Sequence, residues 1–194
     1  MKPTRFEVAL ALIDKYNSED PNSFETNGLK FTKELLYGQR MTHKLLQFEP
    51  NASKALQIAA RAQHIGRWKI DRKEYPMDRI GYLKWREALK DIHADITSQI
   101  LKEVGYEDEF IDRVSVIVRK KFIKKNEESQ IIEDVICLVF LDYYFEEFAA
   151  KHSEEKIIDI LQKTWKKMSE KGHEHALKLK YSEKSLSLIQ KALS

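Results

Sequence analysis

Three histidines in this 194-residue chain, His43, His64 and His93, fall in three successive segments with helical periodicity, and a carboxylate pair, Glu133-Asp134, opens a later one. Imidazole nitrogens and carboxylate oxygens together suit hard-to-borderline divalent cations. Side chains from facing helices of a bundle are a normal way to bring them together. Each histidine has core-type neighbours: Met41 and Leu45 near His43, Ile58 and Ala60 before His64, Leu89 and Ile92 near His93. His43, His64, His93 and Asp134 are therefore the candidate metal ligands. A metal there would polarise a phosphoryl or carbonyl oxygen and lower the pKa of a bound water toward neutrality. One such histidine alone is more often a hydrogen-bonded structural residue, so the idea rests on convergence. His152, His173 and His175 lie in a lysine-rich tail and read as solvated, not as ligands.

The charges are unevenly spread. The chain nets +3, yet residues 61–90 hold nine basic side chains against four acidic ones. Among those cations are Arg61, Arg67, Arg72 and Arg86, interleaved with Trp68, Tyr75, Tyr82 and Trp85. Guanidinium forks suit phosphate and carboxylate and stack on aromatic rings. Arg119, Lys120, Lys121, Lys124 and Lys125 form a second cluster. Arg61, Arg67, Arg72, Arg86, Lys120, Lys121 and Trp68 are the candidate substrate-binding residues for an anion. Gln63 could orient a water, and Glu133 could act as a general base or simply favour a helix N-terminus.

The elements that must position these groups read as helices. Spacings of three and four predict helices over 4–17, 31–48, 53–68, 82–103, 108–124, 129–151, 153–171 and 182–193. Residues 23–30, with Asn27-Gly28, and 69–80, with Tyr75-Pro76, read as loops. The expected class is all-α, a bundle of six to eight helices. Residues 1–151 form the main domain, with its core in 31–151, and helices of 152–194 pack on the same domain. With 42% hydrophobic residues and 34% charged, the chain is neither collagen-like nor low-complexity. Its single cysteine, Cys137, sits in the apolar run 135–141 and reads as a small buried hydrophobe. With no 18-residue apolar span and no signal peptide, a cytoplasmic protein without a membrane partner is expected. The aromatic run 135–148 offers a seam for a homodimer, although burial in the monomer explains it better.

Four segments, in this order, resemble the HD superfamily of helical metal-dependent phosphohydrolases. They are ArgMetThrHisLysLeuLeu (40–46), LeuGlnIleAlaAlaArgAlaGlnHisIleGly (56–66), HisAlaAspIleThrSerGlnIleLeuLysGluValGly (93–105) and GluAspValIleCysLeuValPheLeu (133–141). The resemblance covers roughly residues 40–150. It implies an HD-like fold, a divalent ion (Mn, Fe, Zn, Ni or Co) on His43, His64, His93 and Asp134, and hydrolysis of a phosphorylated or other anionic small molecule or nucleotide. The chain departs from the superfamily at the doublet that names it. Matching Gly66 to the family glycine puts Gln63 and His64 where His and Asp stand; matching His64 to the family His puts Ile65 in place of the Asp. A module that kept the shape and binds RNA or a nucleotide through 61–90 is the alternative. The segment AlaArgAlaGlnHisIleGlyArgTrp (60–68), followed by GlyTyrLeuLysTrpArg (81–86), is also similar to an uncharacterised protein family of unknown function. The chain has neither GxGxxG nor GxxxxGK[ST], which argues against the common nucleotide-binding loops.

Overall fold

Helix starts in this chain are written by short polar side chains. In a computed structural model, which describes residues 2–26 and 28–194 and only the backbone of Thr26, Thr4 opens α1 (Arg5–Asn17) with a reciprocal cap. Its hydroxyl accepts from the Glu7 amide at 3.3 Å, and Glu7 Oε2 accepts from the Thr4 amide at 2.7 Å. Ala9 and Ile13 face inward. The segment expected as a loop instead forms a hairpin of β1 (Ser23–Thr26) and β2 (Leu29–Thr32), antiparallel, with Phe24 opposite Phe31. Four-residue strands are too short for alternation to show. Of the Asn27-Gly28 turn, Asn27 lies outside the described residues, and Gly28 has φ +72°.

Then come α2 (Lys33–Phe48) and α3 (Lys54–Arg61). On α2 the buried stripe Glu34, Tyr37, Met41, Leu45 and Phe48 repeats at three and four residues. No side chain of its N-cap residue Thr32 caps it; Asp20 Oδ2 accepts from the Glu34 amide at 3.0 Å instead. Ser53 caps α3 through the Leu56 amide. The expected helix 53–68 stops at Arg61. The chain turns through 62–66 to Gly66, which sits at φ +69°, and a single 3-10 turn follows at Arg67–Lys69. A second 3-10 turn, Arg72–Glu74, leads to the long α4 (Arg79–Val104), closed by Gly105 in the left-handed conformation. Next is α5 (Asp108–Val118), which ends short of the expected residue 124 because Lys120, Phe122 and Lys124 adopt positive φ.

The rest of the chain is α6 (Glu127–Val139), a π-helical stretch Phe140–Tyr144, α7 (Phe145–Lys151), α8 (Glu154–Trp165), α9 (Glu170–Leu177) and α10 (Glu183–Leu193). Expected helix 129–151 thus carries a π insertion. Expected helix 153–171 is two helices, because Ser169 caps a new one through the Gly172 amide. The molecule is mostly helical, as expected, and the hairpin is the one departure among the described residues; the helical class alone does not establish an HD-like arrangement. By backbone proximity the chain divides into two units, 1–122 and 123–194, whereas the sequence suggested a boundary at 151. In the first unit α1 to α5 pack together, and in the second α8 packs on α10 and α6 on α9. Cys137 is a buried free thiol. No described helix is long and apolar enough to cross a membrane.

Gly66 combines two constraints. Its φ is positive, and a Cβ there would come within 2.5 Å of Ile96 Cδ1. Gly105 has only the first, with nothing within 4 Å of the added carbon. We expect Gly66→Ala to destabilise the chain by about 2–3 kcal/mol and Gly105→Ala by about 1 kcal/mol. Urea unfolding of the two variants checks the order; equal losses would show that crowding at Ile96 is relieved at no cost.

Candidate anion-binding site

Glu34 is the acid of the α2 stripe, and the turn after α3 brings His64 to it. His64 Nδ1 lies 3.0 Å from Glu34 Oε2. The His64 ring stacks on Tyr37, one helical turn along α2, with centroids 3.7 Å apart and planes 7° from parallel. Arg67, in the 3-10 turn, reaches back to both: its Nε is 3.8 Å from Glu34 Oε1, and its Nη1 donates to His64 Nε2 at 3.5 Å. Because Arg67 can only donate, His64 Nε2 accepts, so the ring proton is on Nδ1 and faces the carboxylate. The Glu34 side chain is 6% exposed, while those of His64 and Arg67 are 28% and 27% exposed. The trio runs from the interior to solvent.

His93, buried on α4, stands beside it with its centroid 5.9 Å from that of His64. Its Nδ1 donates to the Ile65 carbonyl at 2.6 Å. A carbonyl only accepts, so His93 also carries its proton on Nδ1 and keeps a lone pair on Nε2. Burial, then its neighbour His64, pushes the His93 pKa down to about 3. Burial is also the first cause that holds His64 well below its ordinary value, and Arg67, Arg86, Lys120 and Lys33 add to it in that order. Burial raises the Glu34 pKa, against the pull of Arg67 and Lys33. Two neutral imidazoles and one carboxylate thus lie in the field of four cations, an arrangement suited to an anion.

The four acids of the basic segment are engaged locally and are outnumbered by its nine cations. Asp71 and Glu74 form a reciprocal cap around the 3-10 turn, Asp78 caps α4 through the Gly81 amide, and Glu87 pairs with Lys90. Arg67 also lies over the Trp85 ring at 4.8 Å, and Trp85 is anchored by its indole donating to the Ile70 carbonyl.

The structure therefore gathers His64, His93, Arg67, Arg86 and Lys120 and separates them from the other candidates. His43 is exposed on α2, paired with Gln47 at 3.0 Å. Gln63 is buried in the turn after α3 and donates back to the Ala59 carbonyl of that helix at 3.4 Å. Arg61 pairs with Asp14 of α1 at 3.3 Å. Arg72 donates to the carbonyls of Tyr75, Pro76 and Asp78 and so ties its own loop. Trp68 packs beside Tyr16, and Lys121 is exposed. Glu133 and Asp134 belong to the second unit. There Glu133 lies 3.6 Å from Lys167 Nζ, and Asp134 accepts from the Ser169 amide at 2.7 Å and its hydroxyl at 2.6 Å. Among the described residues no group of three or more His, Cys, Asp and Glu side chains is arranged to hold a metal ion. In the first unit the two Nδ1 atoms are engaged by Glu34 and the Ile65 carbonyl, which leaves the two Nε2 atoms as the imidazole donors. Sequence reasoning missed Glu34 and Tyr37, although their spacing of three on a helix places them on one face.

The fold and site define a mostly helical protein whose first unit holds two neutral histidines among cations. Residues 7–189 match the family described as a domain of unknown function (DUF4202), and the chain belongs to it. That agrees with the resemblance of 60–68 and 81–86 to an uncharacterised family, while nothing supports a place in the HD superfamily. Neither the curated proteins nor the solved structures give a match.

Two imidazoles held neutral make stability depend on pH. The unfolded chain protonates its histidines near the ordinary value of 6.5, and the folded chain refuses those protons. The contribution of His93 is complete above that value and is lost as pH falls from about 6.5 toward 3, by up to about tenfold in the folding constant per pH unit, and His64 adds to the loss below 6.5. Glu34 acts the other way just above 4.5, where its folded form holds a proton longer, and offsets part of the loss. Asn in place of His93 keeps a donor for Ile65 without a titrating ring. Denaturant titrations from pH 4.5 to 7.5 should therefore give His93→Asn a shallower acid slope than the parent; equal slopes would remove His93 as a cause.

Proposed function

We propose that the first unit binds a phosphorylated or otherwise anionic small molecule and hydrolyses it with His64 as the base. The observation that carries this reading is the placement of His64 between Glu34 on Nδ1 and Arg67 on Nε2, with Arg86 and Lys120 acting on the same ring. The anion takes Arg67 as a forked partner, and Arg86 and Lys120 balance its charge. As Arg67 turns to the anion, His64 Nε2 becomes available to a water. Water attacks phosphorus as the ester P–O bond breaks. The bound anion offsets part of the Arg67, Arg86 and Lys120 field that keeps the free ring unprotonated, so Nε2 takes the water's proton, and the leaving oxygen is protonated from solvent. Glu34 holds the ring in the tautomer this needs and favours the imidazolium that forms. The metal-assisted form of this reaction, which the HD resemblance implies, would need donors beyond His64 and His93.

Inorganic phosphate is the first probe. It should shift the ring resonances of His64, and Arg67→Ala should weaken phosphate binding by about tenfold or more. On a panel of phosphomonoesters, His64→Gln should leave KM close to the parent value and lower kcat by about a hundredfold. Phosphate that leaves the His64 resonances in place at millimolar concentration overturns the binding reading. Equal kcat for His64→Gln and the parent overturns the role of the base.

A further inference from the structure

The cationic cluster does not end at the mouth. From His64 outward the structure interleaves guanidinium groups with aromatic rings. Arg67 lies 4.8 Å from the Trp85 centroid, Trp85 lies 6.0 Å from Tyr82, and Tyr82 has Arg86 and Arg72 at 5.9 and 6.0 Å from its centroid. Arg86 Nη1 donates to the Tyr82 hydroxyl at 3.2 Å, and the three carbonyls that hold Arg72 fix its guanidinium in place. Along α4, Tyr82, Arg86, Leu89 and His93 follow at spacings of four, three and four, so they share one face. The face runs about 16 Å from buried His93 to Tyr82, which is 43% exposed.

Exposed aromatic rings set between cations are how proteins hold single-stranded nucleic acid: bases stack on the rings, and the backbone follows the positive charge. A small anion would need only the mouth. The outer part of the row has no use for such a ligand, and nine cations against four acids in 61–90 leave the segment positive.

We infer that the first unit receives the end of a single-stranded nucleic acid, with its terminal phosphate at the His64–Arg67 mouth and the adjoining base on Tyr82. This rests on the anion-binding reading above and names the ligand that the site would take. Tyr82 is the stacking platform, Arg86 bridges the first phosphate and the ring, and Arg72 frames the far side of the base.

The probe is a short oligouridylate labelled at its 3′ end, with a 5′-phosphate or a 5′-hydroxyl, followed by fluorescence anisotropy with unlabelled uridine monophosphate and inorganic phosphate as competitors. The 5′-phosphorylated oligomer should bind about tenfold tighter than either the 5′-hydroxyl oligomer or the monophosphate. Tyr82→Ala should lose about tenfold in oligomer affinity, while Tyr82→Phe should keep it, because the ring and not the hydroxyl stacks. Neither change should alter the affinity for inorganic phosphate. Tyr82 is exposed, so both variants should retain the parent's helical circular dichroism. An oligomer that binds no tighter than uridine monophosphate, or that ignores Tyr82→Ala, overturns the inference while leaving the anion site standing. Binding that needs Tyr82 but ignores the terminal phosphate overturns end recognition. Vesicles of phosphatidylserine that displace the oligomer would assign the row to a lipid surface and overturn it as well. Failure of inorganic phosphate itself to shift His64 removes the earlier reading and this one together.

Discussion

The first unit is built around one buried carboxylate. Taking the Glu34 side chain out of water is costly unless its oxygens are satisfied, and its two oxygens are met by His64 Nδ1 and, at longer range, Arg67 Nε. That requirement dictates the local geometry. The chain must leave α3 after Arg61 and turn back so that residues 64 and 67 both reach α2, and Gly66 supplies the left-handed residue that makes the return. Asp20 fixes the other side by capping the Glu34 amide, so the carboxylate is set from its backbone as well as from its oxygens. Removing His64 would take the imidazole donor from Glu34 Oε2, and a hydrogen bond to a charged group is worth about 1.5–3 kcal/mol.

A second consequence follows from where acids are spent. In the basic segment three of four carboxylates cap backbone amides and the fourth serves a neighbouring lysine. Net charge by counting would call this stretch mildly basic. At the mouth the cations Arg67, Arg86, Lys120 and Lys33 all act on His64. The geometry of neutralisation, more than the composition, makes the anion site.

Much of the fold could be read from periodicity. The helical class and most helix positions follow from spacings of three and four, and Gly105 marks the end of α4 as expected. The boundaries that failed did so for local reasons: α3 gave way after Arg61 to tight turns that end at left-handed Gly66, a serine cap at Ser169 began a new helix, and a hairpin of two four-residue strands gave no alternation to find. Of the site, His64, His93, Arg67, Arg86 and Lys120 were nameable from type and position. His43 shows how the reading went astray. Met41 and Leu45 flank it at two residues on either side, and on a helix such neighbours point away from the residue between them; the same pattern that looked like a core environment sends His43 to solvent. His93 was flanked by Leu89 at four residues, the spacing that does share a face, and it is buried. Glu34 was passed over because an acid in the first turn of a helix is ordinarily a favourable surface charge. Arg61 and Arg72 could not be told from Arg67 by sequence, since what separates them is a tertiary partner: Asp14 for one and three loop carbonyls for the other.

The placement of the three tryptophans gives the two units separate optical signatures. Trp85 lies under the Arg67 guanidinium and Trp68 beside Tyr16, both in the first unit, whereas Trp165 of the second lies flat against the His173 ring with centroids 4.1 Å apart. An indole responds to the groups held against its ring, and those differ between the units: a guanidinium over Trp85 and an imidazole against Trp165. The protein thus carries native fluorophores that distinguish events near the histidine cluster from events in the C-terminal helices, without any label being attached.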